Sequence, residues 1–396
     1  MLAYIALAAL AALALLLWLP TLADLAHVFS PRVRTSRGAG PPTRFLFLVP
    51  AHDEELLIAD CIKSLYALDY PRECIAVVVV ADNCSDRTAE VARAAGATVL
   101  ERHHATDRGK QFALAWAITQ VPLAGHDAVV VVDADTALDR RFAAELDAHA
   151  PLAGVVAQPF NDVENRTDNA LTRMAAVQSQ ALHGLGFQLK ATRGISVPLS
   201  AGMTLGTDVL RTHGWPAFSI GEDFELYVIL TLRGVPFRHS DRARVFAQEA
   251  RDLKQGSSQR KRWMAGRIYV LKTYLRETLT SPRIGWRQRL DLLGEMTVTA
   301  LGPATQVALT LMLATIAWFV PLPAGRIVAL LLLASLLRLV TYAVLAILRD
   351  PEPMRAAMAF VRLPPYILWR VSVALRSLVT SGTGAWVRTA RHERRP

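Results

Sequence analysis

The sequence has few cysteines, and their spacing argues against two kinds of covalent scaffold. Cys61, Cys74 and Cys84 are an odd number of thiols with no CxxC pair. A disulfide framework needs an even set, and structural zinc sites usually place two thiols close together in the chain. We therefore expect reduced structural thiols in a cytosolic domain.

Two nucleotide-binding fingerprints are also missing. No GxGxxG follows the first predicted strand, and no GxxxxGK[ST] occurs in the chain. The dinucleotide-binding and P-loop interpretations therefore lose the glycines on which they depend. Charged residues are scarce, at 20% of 396 residues against 52% hydrophobic. This composition is too apolar for a disordered chain and too charged for a bundle made only of membrane helices.

The net charge of +10 lies mainly at two edges of the sequence. Residues 31–44 hold four arginines and no acid, the tail after 349 is rich in arginine, and 45–348 is nearly neutral. A nucleic-acid-binding domain would carry a basic stripe across one face, so we expect no nucleic-acid partner. Basic edges of this kind favour contact with membrane lipids.

Residues 1–30 are predicted to form an N-terminal transmembrane anchor. The run Leu2–Leu19 is uncharged, and a hydrocarbon layer needs ~20 apolar residues. A cleaved signal peptide is the alternative, but it would have a basic segment before the apolar run. The arginines follow the run instead, which places them and the next domain on the cytoplasmic side.

A transmembrane hairpin is predicted over 296–348. Its two apolar runs, the uncharged Met296–Gly325 and Ile327–Leu348, meet near a turn marked by Pro321 and Pro323. Arg338 interrupts the second run and would cost ~2.5–3.5 kcal/mol in lipid, so it should face protein or water or reach the interface. A hairpin returns both flanks to one side, the side of the basic segments, which predicts a cytoplasmic middle domain. We expect an integral protein of the bacterial inner (plasma) membrane.

Two further segments are predicted to lie in the membrane surface. The interfacial helix 283–295 carries tryptophan and arginine, and 354–396 alternates apolar residues with arginines before a basic cytoplasmic tail. Pro364 and Pro365 interrupt any continuous span there, which indicates amphipathic helices in the plane of the interface. A re-entrant third span is the alternative.

The middle of the chain, 45–280, is predicted to be an α/β domain with a mostly parallel sheet. Continuous apolar runs at Phe45–Val49, Ile75–Val80 and Ala128–Val132, with a shorter one at Thr98–Leu100, alternate with segments of helical period. Strands that are apolar throughout are typical of a parallel sheet covered on both faces. Ligands of such sheets bind beyond the carboxyl ends of the strands.

Acidic side chains follow three of these strands. His52-Asp53-Glu54 comes after the first, Asp82-Asn83 after the second, and Asp133-Ala134-Asp135 after Ala128–Val132. Acids gathered at one edge repel one another unless a cation or polar ligand lies among them. We expect the Asp133 and Asp135 carboxylates to share one side of an extended turn and to hold a hard divalent ion, Mg²⁺ or Mn²⁺, with a diphosphate.

With these strand ends identified, the sequence resembles the family 2 inverting glycosyltransferases of the GT-A fold, a Rossmann-like fold. It is most similar to their membrane-integrated branch of polysaccharide synthases and ceramide-type glucosyltransferases. The resemblance covers about 45–275. It is carried by VPAHDEE at 49–55, ADNCSD at 81–86, Gly109-Lys110, the DxD at 133–135, GEDFEL at 221–226 and QRKRW at 259–263.

The resemblance implies roles at the donor site. Pro50, Glu54 and Asp82 would contact the nucleoside, Asp82 at a uracil edge. Lys110 would lie near the diphosphate. Asp133 would reach the ribose or the metal, and Asp135 the metal.

The resemblance also implies roles for residues on the acceptor side. Asp223 would be the catalytic base, with Glu222 as the fallback, and Gln259, Arg262 and Trp263 would form the family's QxxRW over the diphosphate and the acceptor entrance. Simpler interpretations stay open: Glu222 and Asp223 as favourable charges at a helix start, Lys110 as a surface lysine, and Gln259–Arg262 as a basic interfacial face.

The function implied is metal-assisted transfer of a hexosyl group from a UDP-sugar to a lipid or glycan acceptor with a β-linkage. Gln111 follows Lys110 where the family usually has glycine, and Ser200–Met203 lacks the Phe-Phe-Cys-Gly-Ser pattern of cellulose synthases. A processive polysaccharide synthase, a catalytically silent nucleotide-sugar-binding membrane protein and a sugar nucleotidyltransferase are the alternatives.

Overall fold

A computed structural model describes residues 1–33 and 40–379, which form two compact units. The sheet unit contains the described residues from Arg32 to Arg166 and the segment Gly186–Glu249. The helical unit contains Met1–Pro31, Thr167–Leu185 and the described chain from Ala250 onward. The long apolar helices belong to the helical unit, and the strands belong to the sheet unit.

The described residues of the sheet unit build one eight-stranded sheet. In spatial order the strands run β3-β2-β1-β4-β7-β6-β8-β5. Their bounds are β1 Phe45–Ala51, β2 Ile75–Asp82, β3 Thr98–Arg102, β4 Ala128–Val131, β5 Ala137–Leu138, β6 Val156–Val163, β7 Thr204–Gly206 and β8 Phe237–Ala247. β1 pairs in parallel with β2 and β4, and β7 is antiparallel to both β4 and β6.

The helices are numbered in chain order. Those of the sheet unit are α2 Ile58–Tyr66, α3 Thr88–Ala94, α4 Lys110–Gln120, α5 Phe142–Asp147, α7 Gln188–Ala191, α8 Thr207–His213 and α9 Glu222–Leu232. Those of the helical unit are α1 Leu2–Val28, α6 Ala170–Ser179, α10 Leu253–Thr280, α11 Trp286–Thr297, α12 Pro303–Trp318, α13 Pro323–Ala334, α14 Leu337–Leu348, α15 Pro353–Ala359 and α16 Leu363–Val379. A π-helical stretch, Gln180–Phe187, follows α6 in the chain.

The predicted α/β fold with a mostly parallel sheet is confirmed. Phe45 and Phe47 of β1 are fully buried in a cluster with residues of α2 and α5. The alternate residue Leu48 is buried as well, and α4 packs against β1 and β2. Helices therefore cover this half of the sheet on both faces, as the continuous apolar runs predict.

Two helical segments are long and apolar enough to cross a membrane within the described chain. They are Leu2–Val28 and the pair α13 and α14 taken together as Pro323–Leu348. The first limb of the expected hairpin is less simple, because α12 reaches that length only together with α11, and the two are bent by 86° at their junction. Two spans over 296–348 therefore stay a prediction.

Buried charges of the helical unit are paired with one another. Arg338 Nε lies 2.6 Å from Asp24 Oδ2 on α1, so this arginine faces protein, as its cost in lipid requires. His27 Nε2 lies 3.1 Å from Asp291 Oδ1 on α11. At Gly294, one turn farther along α11, an added Cβ would lie 3.4 Å from the Pro20 nitrogen of α1. α1 and α11 are thus held together by close packing and a polar contact.

The remaining boundary predictions fall partly outside the described residues. α11 begins at Trp286 and α15 and α16 cover most of 354–379, so helices exist where interfacial helices are expected. Their location in a membrane surface stays a prediction. The arginines Arg34 and Arg37 and the tail 380–396 lie outside the described residues.

The end of β7 predicts a local packing test. A Cβ on Gly206 would lie 2.1 Å from the Ala153 carbonyl oxygen and 2.2 Å from that of Leu152. We therefore expect Gly206→Ala to destabilise the sheet unit by ~1–3 kcal/mol, the usual cost of overpacking, seen as a lower Tm in detergent. Gly154→Ala is the matched control, because a Cβ there meets nothing within 4 Å. Equal Tm values for the two variants would contradict this packing.

Candidate active site

The carboxyl ends of β1, β2 and β4 lie side by side and bring the expected residues to one edge. Ala51 is in register with Ala81, and the Val132 N–H donates to the Leu48 carbonyl at 3.0 Å. The loops that leave these strands therefore start together. Pro50, Glu54, Asp82, Asp133 and Asp135 all lie on or directly after these three strands.

The loops after β1 and β2 are tied to each other through Asp53. Asp53 and Asn83 both have left-handed backbone angles, with φ of 53° and 52°. The Asp53 carboxylate accepts the Ser85 N–H at 2.7 Å. Burial works against the charged form, but the Ser85 and Asp86 N–H groups and the nearby His52 lower the pKa of Asp53 overall. The charged Asp53 carboxylate thus stabilises the turn after β2.

Asp53 lies close to Cys84 and Asp86, and the ligand atoms of these three side chains are near enough to one another to hold a metal ion. Asp86 Oδ1 already accepts the N–H of Thr88, the first residue of α3, at 2.9 Å. Burial raises the pKa of the Cys84 thiol, so the thiol stays protonated. These contacts assign the group to organising the loop.

Asp82 is held by a residue that the sequence analysis did not select. Arg102, at the end of β3, donates through Nη1 to Asp82 Oδ1 at 2.5 Å, and both side chains are buried. Arg102 Nη2 also donates to the Asp107 carbonyl. His52 Nδ1 is 2.8 Å from the Asp82 carbonyl oxygen. The available signal was a basic residue at the end of the strand that neighbours β2.

Lys110 links the DxD segment to the start of α9. Gly109 caps α4 with φ at 117°, a value that glycine adopts readily, and Lys110 is the first residue of the helix. Lys110 Nζ lies 2.6 Å from Asp133 Oδ1 and 3.4 Å from Glu222 Oε1. The interpretation of Lys110 as a plain surface lysine is therefore wrong, because two carboxylates bind its ammonium group.

The surroundings of Lys110 raise the pKa values of both Lys110 and Glu222, which favours the charged form of the lysine and the neutral form of the acid. Burial opposes the ammonium, but the carboxylates of Asp133, Glu222 and Asp223 raise the Lys110 pKa far above its usual range. Burial and the nearby Asp223 charge raise the pKa of Glu222 to about 7, although Lys110 acts against this shift. Lys110 stays charged near neutral pH while Glu222 titrates there.

The first turn of α9 presents Asp223 next to Glu222. Asp223 Oδ1 accepts the Phe224 N–H at 2.6 Å, as a carboxylate at a helix start can do. Buried Glu225 accepts the N–H groups of Phe218 and Ser219 at 2.8 and 2.6 Å. Glu225 thereby fixes the loop that leads into the helix, a function that the GEDFEL motif did not reveal in the sequence.

The DxD segment forms a tight turn, where an extended one was expected. The Asp133 carbonyl accepts the Thr136 N–H at 3.0 Å, and Ala134 between the two acids is buried. The Asp133 carboxylate already binds one cation, the Lys110 ammonium. Oxygen ligands at this position fit a hard divalent ion, with Asp135 as the second candidate ligand from the protein.

Segment 200–203 is tied to β6 by hydrogen bonds. Gln158 and Ser200 exchange two bonds of 3.0 Å, through Gln158 Nε2 to Ser200 Oγ and from the Ser200 N–H to Gln158 Oε1. Ser200 Oγ donates to Asn161 Oδ1 at 2.6 Å, and Asn161 Nδ2 donates to the Ala201 carbonyl at 2.8 Å. This network, missed in the sequence, uses its polar atoms internally.

Gln259, Arg262 and Trp263 lie on α10, which belongs to the helical unit. Trp263 is 44% exposed, and the neighbouring Arg260 guanidinium lies 5.7 Å from its ring centroid. Arg260 also lies 5.9 Å from the Trp369 ring on α16. The motif therefore sits on a regular helix with an exposed aromatic face.

Comparisons with known proteins give a consistent family and fold. The family model described as glycosyltransferase like family 2 matches residues 41–266. The probable glycosyltransferase YdaM of Bacillus subtilis is 26% identical over 239 residues, 58% of this chain and 56% of that protein. Beta-monoglucosyldiacylglycerol synthase of a Synechocystis strain is 25% identical over 281 residues, 67% of this chain and 56% of that protein.

A solved structure supports the same fold. Mannosyltransferase PcManGT from Pyrobaculum calidifontis, in complex with GDP-Man and Mn²⁺, has a TM-score of 0.57 and 18% identity, over 95% of this chain and 99% of that one. At this identity the likeness concerns the fold, and it confirms the expected GT-A-like α/β class. The chain spans 56% of the length of each curated relative.

The raised pKa of Glu222 predicts a dependence of stability on pH. An acid whose pKa rises on folding, here from 4.5 to about 7, stabilises the protein fully below its unfolded pKa and loses that contribution as pH rises through the folded pKa. Between about pH 5 and about pH 8 the Tm of the wild type should therefore fall more steeply than that of Glu222→Gln.

The measurement is the Tm of the purified protein in detergent across this pH range. Glu90→Gln, at an exposed position of α3, is the matched control and should follow the wild type. Parallel curves for Glu222→Gln and the wild type would show that Glu222 keeps an ordinary pKa.

Proposed function

Since the chain belongs to glycosyltransferase family 2, we propose that it is a membrane-bound inverting glycosyltransferase that moves a hexosyl group from a UDP-sugar to a lipid acceptor with a β-linkage. The observation that carries this proposal is the Lys110 ammonium between Asp133 and Glu222, beside Asp223. Such a charge arrangement suits a diphosphate leaving group on one side and a proton acceptor on the other.

The donor would lie along the carboxyl edge of the sheet. Pro50, Glu54 and Asp82 would contact the nucleoside. Arg102 fixes the Asp82 carboxylate by a buried ion pair, so that carboxylate presents a fixed acceptor to a uracil N–H. The preorganised pair would reduce the cost of ordering the site on binding.

Asp133 and Asp135 would hold the divalent ion, Mg²⁺ or Mn²⁺. Support comes from the cation that Asp133 already binds, and the similar mannosyltransferase is a complex with Mn²⁺. When bound, such an ion would neutralise charge on the diphosphate. Lys110 would supply a second, protein-borne positive charge for the same group.

Asp223 would be the general base. The acceptor oxygen forms a bond to the anomeric carbon, the bond from that carbon to the diphosphate oxygen breaks, and its electron pair leaves with UDP. The acceptor proton passes to Asp223, which must come within ~2.6–3.2 Å of the hydroxyl. Glu222, with a pKa raised to about 7, is protonated in part at neutral pH and is the weaker candidate for the base.

The remaining assignments concern the membrane and the acceptor. Gln259, Arg262 and Trp263 would bind the diphosphate and border the acceptor entrance, since a planar guanidinium binds phosphate oxygens in pairs. We assign the sheet unit to the cytoplasmic side of a bacterial plasma membrane because the arginines of 31–44 follow α1. A curated relative is named as a glycolipid synthase, which supports a lipid acceptor.

A donor and acceptor screen tests the reaction class. The full chain in membranes is incubated with UDP- and GDP-sugars and a total lipid extract, and products are read by mass spectrometry. We expect one UDP-sugar to give a glycolipid that carries one or a few sugars. A ladder of long chains would indicate a polysaccharide synthase, and UDP binding without any product would indicate a silent binding protein.

Substitution of the proposed base should separate binding from chemistry. Asp223→Asn should lower kcat by about 10²–10⁴-fold, the usual size of a general-base contribution, while UDP still binds in a calorimeter. Asp135→Ala should lose transfer together with Mn²⁺-dependent UDP binding. Asp241→Asn, at an exposed position of β8, is the control and should keep full activity. Normal turnover by Asp223→Asn would refute the base assignment.

A further inference from the structure

Phe218 stands out among the apolar side chains of the sheet unit. Of the large hydrophobic residues described in this unit, Val33, Leu56 and Phe218 are exposed, and Phe218 is the aromatic one, with 48% of its surface accessible. Such exposure is unusual in a unit whose other large side chains are buried or half-buried. Ligand sites are commonly lined by aromatic side chains with a few polar groups among them, so the surroundings of Phe218 decide whether its exposure has a function.

The Phe218 ring contacts one other ring, and its backbone is anchored by a hydrogen bond. Its ring centroid lies 5.7 Å from that of Phe112 on α4, with the planes inclined by 38°. Its backbone N–H donates to buried Glu225 at 2.8 Å, which ties the loop to α9. The backbone anchor and the ring contact both reduce the freedom that Phe218 would lose on binding a ligand.

The Phe112–Phe218 pair spans the same two elements as the ion pair of the site. Lys110, two residues before Phe112, contacts Glu222, and Glu222 starts the helix that carries Asp223. Phe218 lies in the loop directly before that helix. The aromatic pair and the proposed base are thus positioned by the starts of α4 and α9.

The polar side chains of β6 and of the segment before β7 do not offer an equivalent surface. Gln158, which is fully buried, Asn161 and Ser200 bond to one another and to the Ala201 carbonyl. A sugar acceptor presents several hydroxyls around the reacting one, and each needs a hydrogen-bond partner when it leaves water. Two phenyl rings supply none, so they suit carbon-bound atoms, and the lipid acceptor of the proposed function has such atoms next to its reacting hydroxyl.

We propose that the Phe112–Phe218 pair is the subsite for the apolar part of the acceptor next to its reacting hydroxyl, that is, the glycerol and first acyl carbons of a lipid. This inference rests on the proposed function and deepens it. Because Asp223 must touch the acceptor hydroxyl, the atoms bonded to that carbon lie a few ångströms from the base. The phenyl pair would receive them and turn the hydroxyl toward Asp223.

A binding experiment that needs no turnover tests the subsite. The full chain in detergent is irradiated with a diacylglycerol that carries a diazirine close to the glycerol, and tryptic peptides are analysed by mass spectrometry. We expect label on the peptide between Arg211 and Arg233, which contains Phe218. Phe218→Ser should lose this label, whereas Leu56→Ser, at another exposed apolar position of the unit, should keep it.

Kinetics supply the second measurement. With dioctanoylglycerol as acceptor, Phe218→Ser should raise the acceptor KM on the order of tenfold, the effect of losing a half-buried aromatic contact, with the KM for the donor unchanged. Phe218→Leu keeps an apolar side chain and should recover most of the loss. A purely structural role would instead lower Tm and affect both KM values.

The outcomes separate this inference from the proposed function. If the wild type transfers no sugar from any donor but label appears on the 212–233 peptide, the subsite is supported and the proposed activity is contradicted. Transfer to lipid with label confined to other peptides, or with Phe218→Ser equal to the wild type, would overturn the subsite alone.

Discussion

Mutual repulsion among the carboxylates at the carboxyl edge of the sheet is the constraint on which the site depends. Asp133, Glu222 and Asp223 lie within reach of one ammonium group, that of Lys110, which bonds the first at 2.6 Å and approaches the second at 3.4 Å. Burial and the nearby Asp223 charge raise the pKa of Glu222 to about 7 against the effect of Lys110, so Glu222 is protonated in part near neutral pH. The excess of negative charge that remains is what makes the edge receptive to a further cation.

In the helical unit, buried charged side chains are likewise balanced by a partner of opposite charge. The charges of Asp24 and Arg338 are nearly enclosed, and each has the other as a partner at 2.6 Å. A buried pair of this kind adds little net stability over apolar residues, but loss of one partner leaves an uncompensated charge. The pair therefore fixes which face of α1 meets α14, and His27 with Asp291 does so for α11.

The structural features that the sequence predicted correctly are periodic or local in the chain. Continuous apolar runs predicted the strands, and the acids after them predicted the edge, because parallel strands end together. The sequence did not reveal Arg102 as the partner of Asp82 and left Lys110 open, since these contacts join residues far apart in the chain and depend on the order of the strands. The 86° bend between α11 and α12 lies at Gly302, whose φ is 75°, directly before Pro303, and the uncharged run on its own did not predict it.

Residues inside the family motifs and residues outside them would contribute differently to the specificity of the site. Under the proposed function, the family motifs would place charges where a nucleoside diphosphate and a proton must be handled, and every acceptor would require those groups equally. The choice of acceptor would then rest on side chains outside the motifs. Exposed Phe218 and its half-buried partner Phe112 would be such side chains. Because phenyl rings offer no hydrogen-bond partner, they would leave unpaired those hydroxyls of a hydroxyl-rich acceptor that face them, which would disfavour such an acceptor by desolvation.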